Sequence, residues 1–563
     1  EADLTALRRT LGIRSAVSGA AALLLAWLAF GYTGVLPLPE FMSVAMGPLV
    51  FAGVYLALIV GTIILNFTTV ASGLIGLFSE PTTDTTSAVA AVAALLQAVV
   101  LLVQLLTGVP PDVTLFGAIA ALVLCFNAMG KRVRSTAILE NFRLASGGLE
   151  HSAAYVLDGG QEVAYNITKG LEEEHPSILI SRPTALVKGF LRQSFSMRWS
   201  DGIGRILGWL LLAVSLVVAV VAYVMTRDLM EAITCLAATA CVAAPLSATL
   251  VSGIPSRLLQ LGTGKVGAVV PGWSAIEELG EVNVVMAGAR DVFPPNTVFL
   301  KGIKTFEQER VDLAILYAAS VLVEACDTLR DIFLAVIQGK SEMLFKVENL
   351  LSEPGRGFTA FVENNRIILG TREMMQMHDI DPPPLEVEMK FTGEGNLPVY
   401  LAVSGKLFAM FIISYAPDSE VQETLDGLIK SGVSLLVTSE DPNVKDELIE
   451  SVYQLPKGVV KVLGRRELEL LEPLRSYLPE SEGVMTHIGS FTSFIGGMRA
   501  AAGCAAGEKM STYLQIASVV LACLFSVLLV ISGGLPILSL FTVLLYQLGW
   551  TLFIGLLPFA RRY

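Results

Sequence analysis

The sequence predicts a polytopic α-helical membrane protein of about eight spans that carries cytoplasmic α/β domains. Of its 563 residues, 53% are hydrophobic and the mean hydropathy is +0.64, which is too apolar for a soluble chain of this length. Eight apolar runs are long enough to cross a bilayer. In the longest polar insertion, strand-like and helix-like runs alternate, which indicates an α/β fold.

The apolar runs fall into groups of four, two and two along the chain. They cover residues 13–32, 42–65, 87–107, 113–130, 206–224, 229–252, 513–532 and 537–560. This arrangement divides the chain into transmembrane helices 1–4 (1–130), a short cytoplasmic segment (131–205), transmembrane helices 5 and 6 (206–252), a long insertion (253–510) and transmembrane helices 7 and 8 (511–563).

An even number of spans places both termini on one side of the membrane, and the basic residues indicate which side. Span ends on that side are flanked by Lys131, Arg132, Arg134, Arg257, Arg561 and Arg562. Because cytoplasmic loops are enriched in Lys and Arg, we expect both termini and the large domains to be cytoplasmic, in a bacterial plasma (inner) membrane. The first apolar run is too long for a cleaved signal core, so we interpret it as an anchored helix.

Net charge and cysteine usage restrict the partners. The net charge of −12 excludes nucleic acid as an expected partner, which leaves the lipid bilayer and a membrane protein as candidates. The six cysteines are scattered and form no Cys-x-x-Cys pair. We therefore predict neither a metal-delivery module nor a disulfide framework, and we assign no metal ligand.

The stretch 241–295 connects the sixth run to the long insertion and carries the most informative pattern in the chain. An apolar run containing Pro245 is followed by Gly-Ile, a basic connector with Arg257 and Lys265, and the sequence Ala-Ile-Glu-Glu-Leu-Gly-Glu-Val. Residues 282–286 are then short, branched and almost all apolar, as expected of a strand in a parallel sheet that is covered on both faces.

This pattern resembles the P-type ATPases, particularly their heavy-metal-transporting branch. The resemblance implies a phosphorylation-domain-like (Rossmann-like, HAD-like) domain at 253–300 and 415–510, and an α+β nucleotide-binding-like domain at 301–414. In that family the strand ends in Asp-Lys-Thr-Gly-Thr, whose aspartate is phosphorylated by ATP. Ala287 occupies the aspartate's position here, so we assign no catalytic residue. Asp291, the only carboxylate of this loop, is the candidate substitute nucleophile.

Three further catalytic motifs of the family are altered or missing. The segment 131–205, which we expect to be a reduced form of the actuator domain, lacks Thr-Gly-Glu, and the Thr-Gly-Glu at 392–394 is interpreted as a polar turn. At 438–441, Thr-Ser-Glu-Asp replaces Thr-Gly-Asp-Asn. At 489–494, Gly-Ser-Phe-Thr-Ser-Phe replaces Gly-Asp-Gly-x-Asn-Asp and so lacks the carboxylates that would hold magnesium.

The resemblance also implies candidate remnants of a nucleotide site, which are Gly355, Gly357, Gly370, Thr438, Glu440 and Asp441. In the family a Gly-x-Gly turn and a later Gly-Asn border ATP, whereas here Thr371 follows Gly370. An ordinary hairpin with glycine turns explains the glycines equally well. The helix dipole by itself favours acidic residues at a helix start. No cofactor is assigned with certainty; ATP or another adenine nucleotide, without Mg, is the candidate.

The family's metal-transport motif is absent as well. Transporters of this branch carry Cys-Pro-Cys in the sixth span, whereas Pro245 is flanked by Ala244 and Leu246. The last two spans offer Gln515, Tyr546 and Gln547 as polar residues. Such side chains inside a membrane more often hold helices together than form a transport site.

We therefore expect a catalytically inactive P-type ATPase homologue that acts as a membrane scaffold or regulatory subunit, with nucleotide sensing as one version of that role. One alternative is a divergent but active ATP-driven cation or lipid transporter. Another is a passive channel or binding module that uses the spans alone. Phosphoryl transfer needs a nucleophile, a metal and cationic groups on the phosphates, so labelling with γ-labelled ATP separates the active transporter from the other two.

Overall fold

A computed structural model of the protein describes residues 1–42, 47–108, 113–147, 151–157, 161–171, 175–184, 189–306, 309–393, 395–477, 483–533 and 538–560. Glu394, the loop 109–112 and the basic pair Arg561 and Arg562 lie outside the described residues. The protein combines a bundle of membrane helices with two sheets, one mixed and one antiparallel.

The helices follow one another along the chain as α1 (Ala2–Tyr32), α2 (Pro48–Leu65), α3 (Phe67–Gly76), α4 (Asp84–Leu106), α5 (Gly117–Ser146), α6 (Gln161–Thr168), α7 (Phe190–Ser194), α8 (Trp199–Thr226), α9 (Leu229–Ala243), α10 (Leu250–Val266), α11 (Trp273–Gly280), α12 (Ala289–Val292), α13 (Val311–Ala325), α14 (Asp327–Val336), α15 (Arg372–Met377), α16 (Leu385–Thr392), α17 (Ser419–Lys430), α18 (Asp446–Tyr453), α19 (Arg465–Tyr477), α20 (Phe491–Ile531) and α21 (Leu540–Leu556).

The strands are β1 (His151–Leu157), β2 (Ile178–Thr184), β3 (Ala268–Val269), β4 (Val284–Gly288), β5 (Val298–Thr305), β6 (Val347–Glu353), β7 (Gly357–Val362), β8 (Asn365–Gly370), β9 (Asn396–Val403), β10 (Lys406–Tyr415), β11 (Ser434–Thr438), β12 (Val460–Val462) and β13 (Met485–His487).

The predicted membrane helices are present. Within the described ranges, six helical segments are long and apolar enough to cross a membrane, and they are Ala2–Tyr32, Pro48–Leu65, Asp84–Leu106, Phe190–Thr226, Phe491–Ile531 and Leu540–Ala560. The helix α5 and the shorter apolar helix α9 contain the remaining two predicted runs. The prediction of a polytopic helical protein with about eight spans is thus confirmed.

The sixth predicted run, 229–252, is not one continuous helix. Helix α9 ends at Ala243 and α10 begins at Leu250, so the chain between them is a break around Pro245. Proline has no backbone N–H and its ring clashes with the preceding helical turn, which explains the break. The break lies where the resemblance places the transport motif.

The larger sheet has seven strands in the order β12-β11-β4-β2-β1-β13-β3. Strands β12, β11, β4 and β2 are parallel, whereas β1 pairs antiparallel with both β2 and β13. Val284 and Val285 of β4 are fully buried, as the sequence predicts for a strand that is covered on both faces.

The reduced actuator-position segment does not form a separate unit in the described structure, because its strands β1 and β2 lie in the middle of this sheet. They separate β4 from β13 and pair with each other over the full length of both strands, from His151 opposite Thr184 to Leu157 opposite Ile178. Ile178 and Leu179 are fully buried, which is typical of a central strand. The sequence did not predict this insertion.

The second sheet is antiparallel and has six strands in the order β5-β10-β9-β8-β7-β6. It starts at Val298 and ends at Tyr415, close to the predicted limits of 301–414 for the nucleotide-binding-like domain. Fully buried side chains of β7, β8 and β10, such as Phe358, Leu369 and Phe411, pack in one core with α13 and α14. The predicted α/β and α+β cytoplasmic folds are therefore confirmed.

A buried ion pair connects the membrane helices to the larger sheet. Arg198 precedes α8 and pairs with Glu508 of α20, and both side chains are almost fully buried. Ser200 donates to the same carboxylate at 2.8 Å, and Arg198 donates to Ser256 of α10 at 2.8 Å. The guanidinium also lies 5.3 Å from the ring centre of Trp273 in α11. Removing one charge of such a buried pair is strongly destabilising, so this contact holds the helices at the junction together.

Candidate functional site at the carboxyl edge of the larger sheet

A cavity of about 230 Å³ opens at the carboxyl ends of the parallel strands of the larger sheet. This is the edge at which α/β sheets bind ligands. The lining residues are Ser152, Ile180, Ser181, Pro183, Met286, Ala287, Gly288, Asp291, Thr438, His487, Gly489, Ser490, Phe491 and Phe494. The cavity therefore contains the positions at which the resemblance places the phosphorylated aspartate and the start of the magnesium-binding loop.

Ala287 lies near the end of β4, opposite Val437 of β11, and its methyl group offers no nucleophilic atom. Asp291 lies on the short helix α12, and its Oδ2 accepts a hydrogen bond of 2.9 Å from the backbone N–H of Gly288. Burial raises the pKa of this carboxyl above its usual range. The Asp291 carboxylate is thus occupied in capping the first turn of its own helix, which is the structural role that acidic residues have at a helix start.

Asp291 does not share the cavity with Glu440. Glu440 lies beyond the described lining and accepts a hydrogen bond from the hydroxyl group of Ser352, at the end of β6. This contact joins the antiparallel sheet to the loop after β11. The carboxylate that the sequence suggested as a relic of Thr-Gly-Asp-Asn therefore connects the two domains.

A serine and a histidine from distant parts of the sequence meet in the cavity. The Ser181 hydroxyl lies 2.8 Å from Nε2 of His487, and the Gly489 N–H donates to Nδ1 of the same ring over 3.2 Å. Since Nδ1 accepts a hydrogen bond, the ring proton lies on Nε2, and His487 donates to Ser181. A general base would have to accept the serine proton at this atom, so the pair does not have the arrangement of a hydrolase.

The sequence analysis missed this contact, because the two residues are 306 positions apart and belong to no recognisable motif. The ring of Phe494 lies over that of His487, with centres 5.0 Å apart. Phe494 therefore fills space at the position of the family's last aspartate.

The cavity does not fit a magnesium-bound phosphate group. Among its described lining residues, Asp291 is the only carboxylate, and neither lysine nor arginine is present. Magnesium prefers one or two carboxylates together with phosphates, and cationic groups are needed to neutralise the phosphates. The described part of the chain also contains no cluster of three or more His, Cys, Asp or Glu residues that could hold a metal ion.

The candidate glycines of the antiparallel sheet lie in the β7–β8 hairpin. Gly357 pairs with Gly370, and the two backbones are so close that a Cβ atom on Gly370 would lie 2.2 Å from the carbonyl oxygen of Arg356. Gly355 has φ +71° and open space around it. Turn geometry and close backbone approach account for all three glycines, which favours the ordinary hairpin over a remnant of a nucleotide site.

Of the three candidate residues after β11, Thr438 alone lines the cavity. Asp441 is fully buried, and its carboxylate accepts hydrogen bonds from the Tyr415 hydroxyl, at 2.9 and 2.8 Å, and from the Asn443 N–H, at 3.0 Å. Burial raises the pKa of Asp441 to about 6. The six candidate nucleotide residues are therefore not gathered around one cavity.

Gln547 occupies the break in the sixth span. Its Nε2 lies 3.0, 2.5 and 2.9 Å from the carbonyl oxygens of Cys241, Val242 and Ala244, and its Oε1 lies 3.4 Å from the Leu246 N–H. Helix breaks leave carbonyl groups without helical partners, and such groups can bind cations in membranes. Here the amide of Gln547 satisfies them. The sequence interpretation of Gln547 as a residue that holds helices together agrees with these contacts.

Comparisons with known proteins were made for the whole chain. No protein-family model matches it. A zinc-transporting PIB-type ATPase in the E2.Pi state is similar in structure with a TM-score of 0.48 and 13% identity, over 96% of this chain and 99% of that one. A structure of a zinc-transporting PIB-type ATPase in another state gives 0.46 and 14%, over 91% and 99%.

A copper-exporting P-type ATPase of Legionella pneumophila subsp. pneumophila is 23% identical over 221 residues, which are 38% of this chain and 30% of that protein. Since the match spans less than a third of the relative, the relative's activity is not transferred here. The match confirms the resemblance that the motifs indicated. This chain is a homologue of the P-type ATPases and is related to their heavy-metal-transporting branch.

Proposed function

We propose that this protein is a non-catalytic relative of the P-type ATPases that acts as a membrane scaffold or regulatory subunit. One observation carries the proposal: the strand β4 ends in Ala287, and the nearest carboxylate, Asp291, is bonded to the Gly288 N–H at 2.9 Å. Deleting a covalent nucleophile ends the pathway that depends on it. The protein therefore forms no aspartyl phosphate.

The position of the β1–β2 hairpin supports the proposal. With two strands between them, β4 and β13 are three strand spacings apart, or about 14 Å. A magnesium ion holds its ligands at about 2 Å, so a single ion cannot bridge groups on the loops after these two strands. Restoring one acidic residue after β4 would therefore leave the metal without its second set of ligands.

The amide of Gln547 supports the second part of the proposal, that the spans do not conduct or pump an ion. A cation at the break around Pro245 would have to displace Nε2 from the carbonyl oxygens of Cys241 and Ala244. The break also lacks the thiolates with which the family binds soft metals. This argues against both the active transporter and the passive channel.

Incubation of the full chain with γ-labelled ATP and magnesium, followed by acid quench, tests the proposal. The expected result is no hydroxylamine-sensitive label on the protein. We expect the Ala287→Asp variant to stay unlabelled as well, because the separation of β4 and β13 remains. A label on the parent that is lost in Asp291→Asn would establish the divergent active transporter instead, and a label gained by Ala287→Asp would refute the argument from the metal.

Nucleotide sensing is a separate part of the proposal, supported by Thr438 at the cavity and by the contact between Glu440 and Ser352 that joins the two domains. Titration of the full chain with ATP, ADP and AMP in the absence of magnesium, followed by tryptophan fluorescence, tests it. If none of the three binds at millimolar concentration, the protein is a scaffold without a nucleotide sensor.

The orientation follows the same proposal. We place both termini and the two sheets in the cytoplasm of a bacterial plasma (inner) membrane, because Lys131, Arg132, Arg134 and Arg257 flank the span ends on that side. The regulated partner would be another membrane protein. Protease treatment of inverted membrane vesicles should then cleave the sheets, whereas intact spheroplasts should protect them.

A further inference from the structure

A second cavity, of about 280 Å³, lies where the first membrane helices meet the large domains. It is bounded by α1, α3, α5 and the connection between α7 and α8. None of the sequence motifs points to it, and it is separate from the cavity at the edge of the larger sheet. Its lining is charged on one part and apolar on the other.

The charged part contains three cationic side chains, of which only one is neutralised. Lys131 forms an ion pair of 2.6 Å with Asp84, a side chain that is almost fully buried. Arg14 donates to the Thr68 hydroxyl at 2.7 Å. Arg134 makes one long contact, of 3.5 Å to the Ser194 carbonyl, and its buried Nε has no hydrogen-bond acceptor.

Neither Arg14 nor Arg134 is paired with a carboxylate in the described part of the chain. Two guanidinium groups therefore face one cavity without a compensating charge. A guanidinium presents its N–H groups in a planar fork that matches the oxygens of a phosphate, so this arrangement fits a phosphate anion.

The apolar part is formed by aliphatic and aromatic side chains at the mouth and the floor of the cavity. Leu7 and Phe195 remain 40% and 52% exposed, whereas Leu11 and Ile138 are buried beneath them. Exposed apolar groups next to uncompensated cations are unfavourable in water. They are suited to a ligand that has both a phosphate and a hydrocarbon chain.

The depth of the cavity agrees with a lipid ligand. Arg14 is the second residue of the first apolar run, 13–32, and Lys131 directly follows the fourth run, 113–130. Both cations thus lie at the boundary of the hydrocarbon layer, where phospholipid phosphates are found. Basic pockets between membrane helices at this level bind anionic headgroups.

We propose that this cavity binds an anionic phospholipid. The lipid phosphate lies between Arg14 and Arg134, and the start of an acyl chain packs against Leu7 and Phe195. The bound lipid neutralises the two guanidinium groups and covers the seam between α1, α5 and the connection to α8. Phosphate chemistry is shared with free inorganic phosphate, but a free phosphate would use the cationic part of the cavity alone.

The experiment uses the full chain in a neutral detergent, with dioleoylphosphatidylglycerol as the anionic lipid and dioleoylphosphatidylcholine as the neutral one. Native mass spectrometry counts the retained lipid, and the unfolding temperature is recorded alongside. We expect phosphatidylglycerol to be retained in preference to phosphatidylcholine and to raise the unfolding temperature. Since one surface cation contributes about five-fold to the binding of an anionic lipid, Arg14→Gln and Arg134→Gln should each weaken retention about five-fold.

Two variants control for charge and for folding. Arg132→Gln removes an exposed cation of the same helix that does not line the cavity, and it should leave lipid retention unchanged. Arg134→Lys keeps the charge and should preserve most of the binding, which distinguishes loss of the ligand from loss of the fold. Leu7→Ser should weaken the retention of phosphatidylglycerol without affecting the response to glycerol 3-phosphate.

Three results would overturn the proposal. Equal retention of the two lipids would show that charge is not recognised. An equal loss in Arg132→Gln would show that the net charge of the surface, rather than this cavity, attracts the lipid. Stabilisation by millimolar inorganic phosphate as strong as that by phosphatidylglycerol, with no effect of Leu7→Ser, would assign the cavity to a free anion.

Discussion

Replacing Gln547 with leucine tests whether the break in the sixth span depends on this one amide. Leucine has a similar volume and no hydrogen-bonding group, so Gln547→Leu removes the donors to the carbonyl oxygens of Cys241, Val242 and Ala244. It also removes the acceptor for the Leu246 N–H. The variant leaves the packing nearly unchanged and deprives buried backbone groups of their partners.

The magnitude follows from the geometry. A side-chain amide has two N–H groups, so at most two of the three short contacts are full hydrogen bonds. A buried polar group that loses its partner costs about 1–3 kcal/mol, whereas side-chain hydrogen bonds within membranes contribute on average about 0.6 and at most about 1.7 kcal/mol. Two bonds at the membrane values give about 1–3 kcal/mol. We therefore expect Gln547→Leu to lower the free energy of unfolding by about 2 kcal/mol, which is a factor of about 30 in the equilibrium constant.

The measurement is reversible unfolding in mixed neutral detergent and dodecyl sulfate, followed by tryptophan fluorescence. Gln104→Leu is the matched control, because Gln104 also lies on a membrane helix but its side-chain oxygen has no hydrogen-bond partner. The control should change stability by less than about 0.5 kcal/mol, as expected when no interaction is lost. If Gln547→Leu is as stable as the parent, or if the two variants lose the same amount, the break does not depend on Gln547.

Two further predictions concern the cytoplasmic domains. The buried Asp441 has a folded-state pKa of about 6, above its ordinary value of 3.8, so the folded protein binds the extra proton between these values and loses stability as the pH rises through them; Asp441→Asn should abolish this loss, roughly 3 kcal/mol between pH 4 and pH 7, in unfolding curves measured across that range. Gly370→Ala should destabilise the hairpin by about 2–4 kcal/mol in thermal unfolding, because the new Cβ meets a carbonyl oxygen at 2.2 Å, whereas Gly355→Ala meets no atom and should cost only about 1 kcal/mol for its positive φ; equal effects would contradict the clash.

The class of the protein could be predicted from the sequence because the signals are local. The length of an apolar run indicates a membrane helix wherever it packs, and the buried β4 is visible in five consecutive residues. The replacement of the family's aspartate by Ala287 is likewise a fact of the sequence. Such features need no knowledge of which residues meet.

The sequence could not predict the arrangement of the sites. Strands β1 and β2 are short, and their pairing with β4 and β13 brings together segments that are separated by about 100 and about 330 positions. The break at Pro245 was visible, but nothing in the sequence linked it to Gln547, which is 306 positions from Cys241. The charge of Arg14 and that of Arg134 likewise have no local relation.

The sequence by itself determined that the chain is a membrane protein with an α/β and an antiparallel cytoplasmic domain, and that the residue at the phosphorylation position has no nucleophilic atom. Only the tertiary structure decided where the hairpin inserts, which group satisfies the broken helix and which cations share a cavity. The physical reason is that hydropathy and strand patterns act over a few neighbouring residues. Hydrogen bonds and ion pairs in the interior depend on the contacts that the whole chain makes after folding.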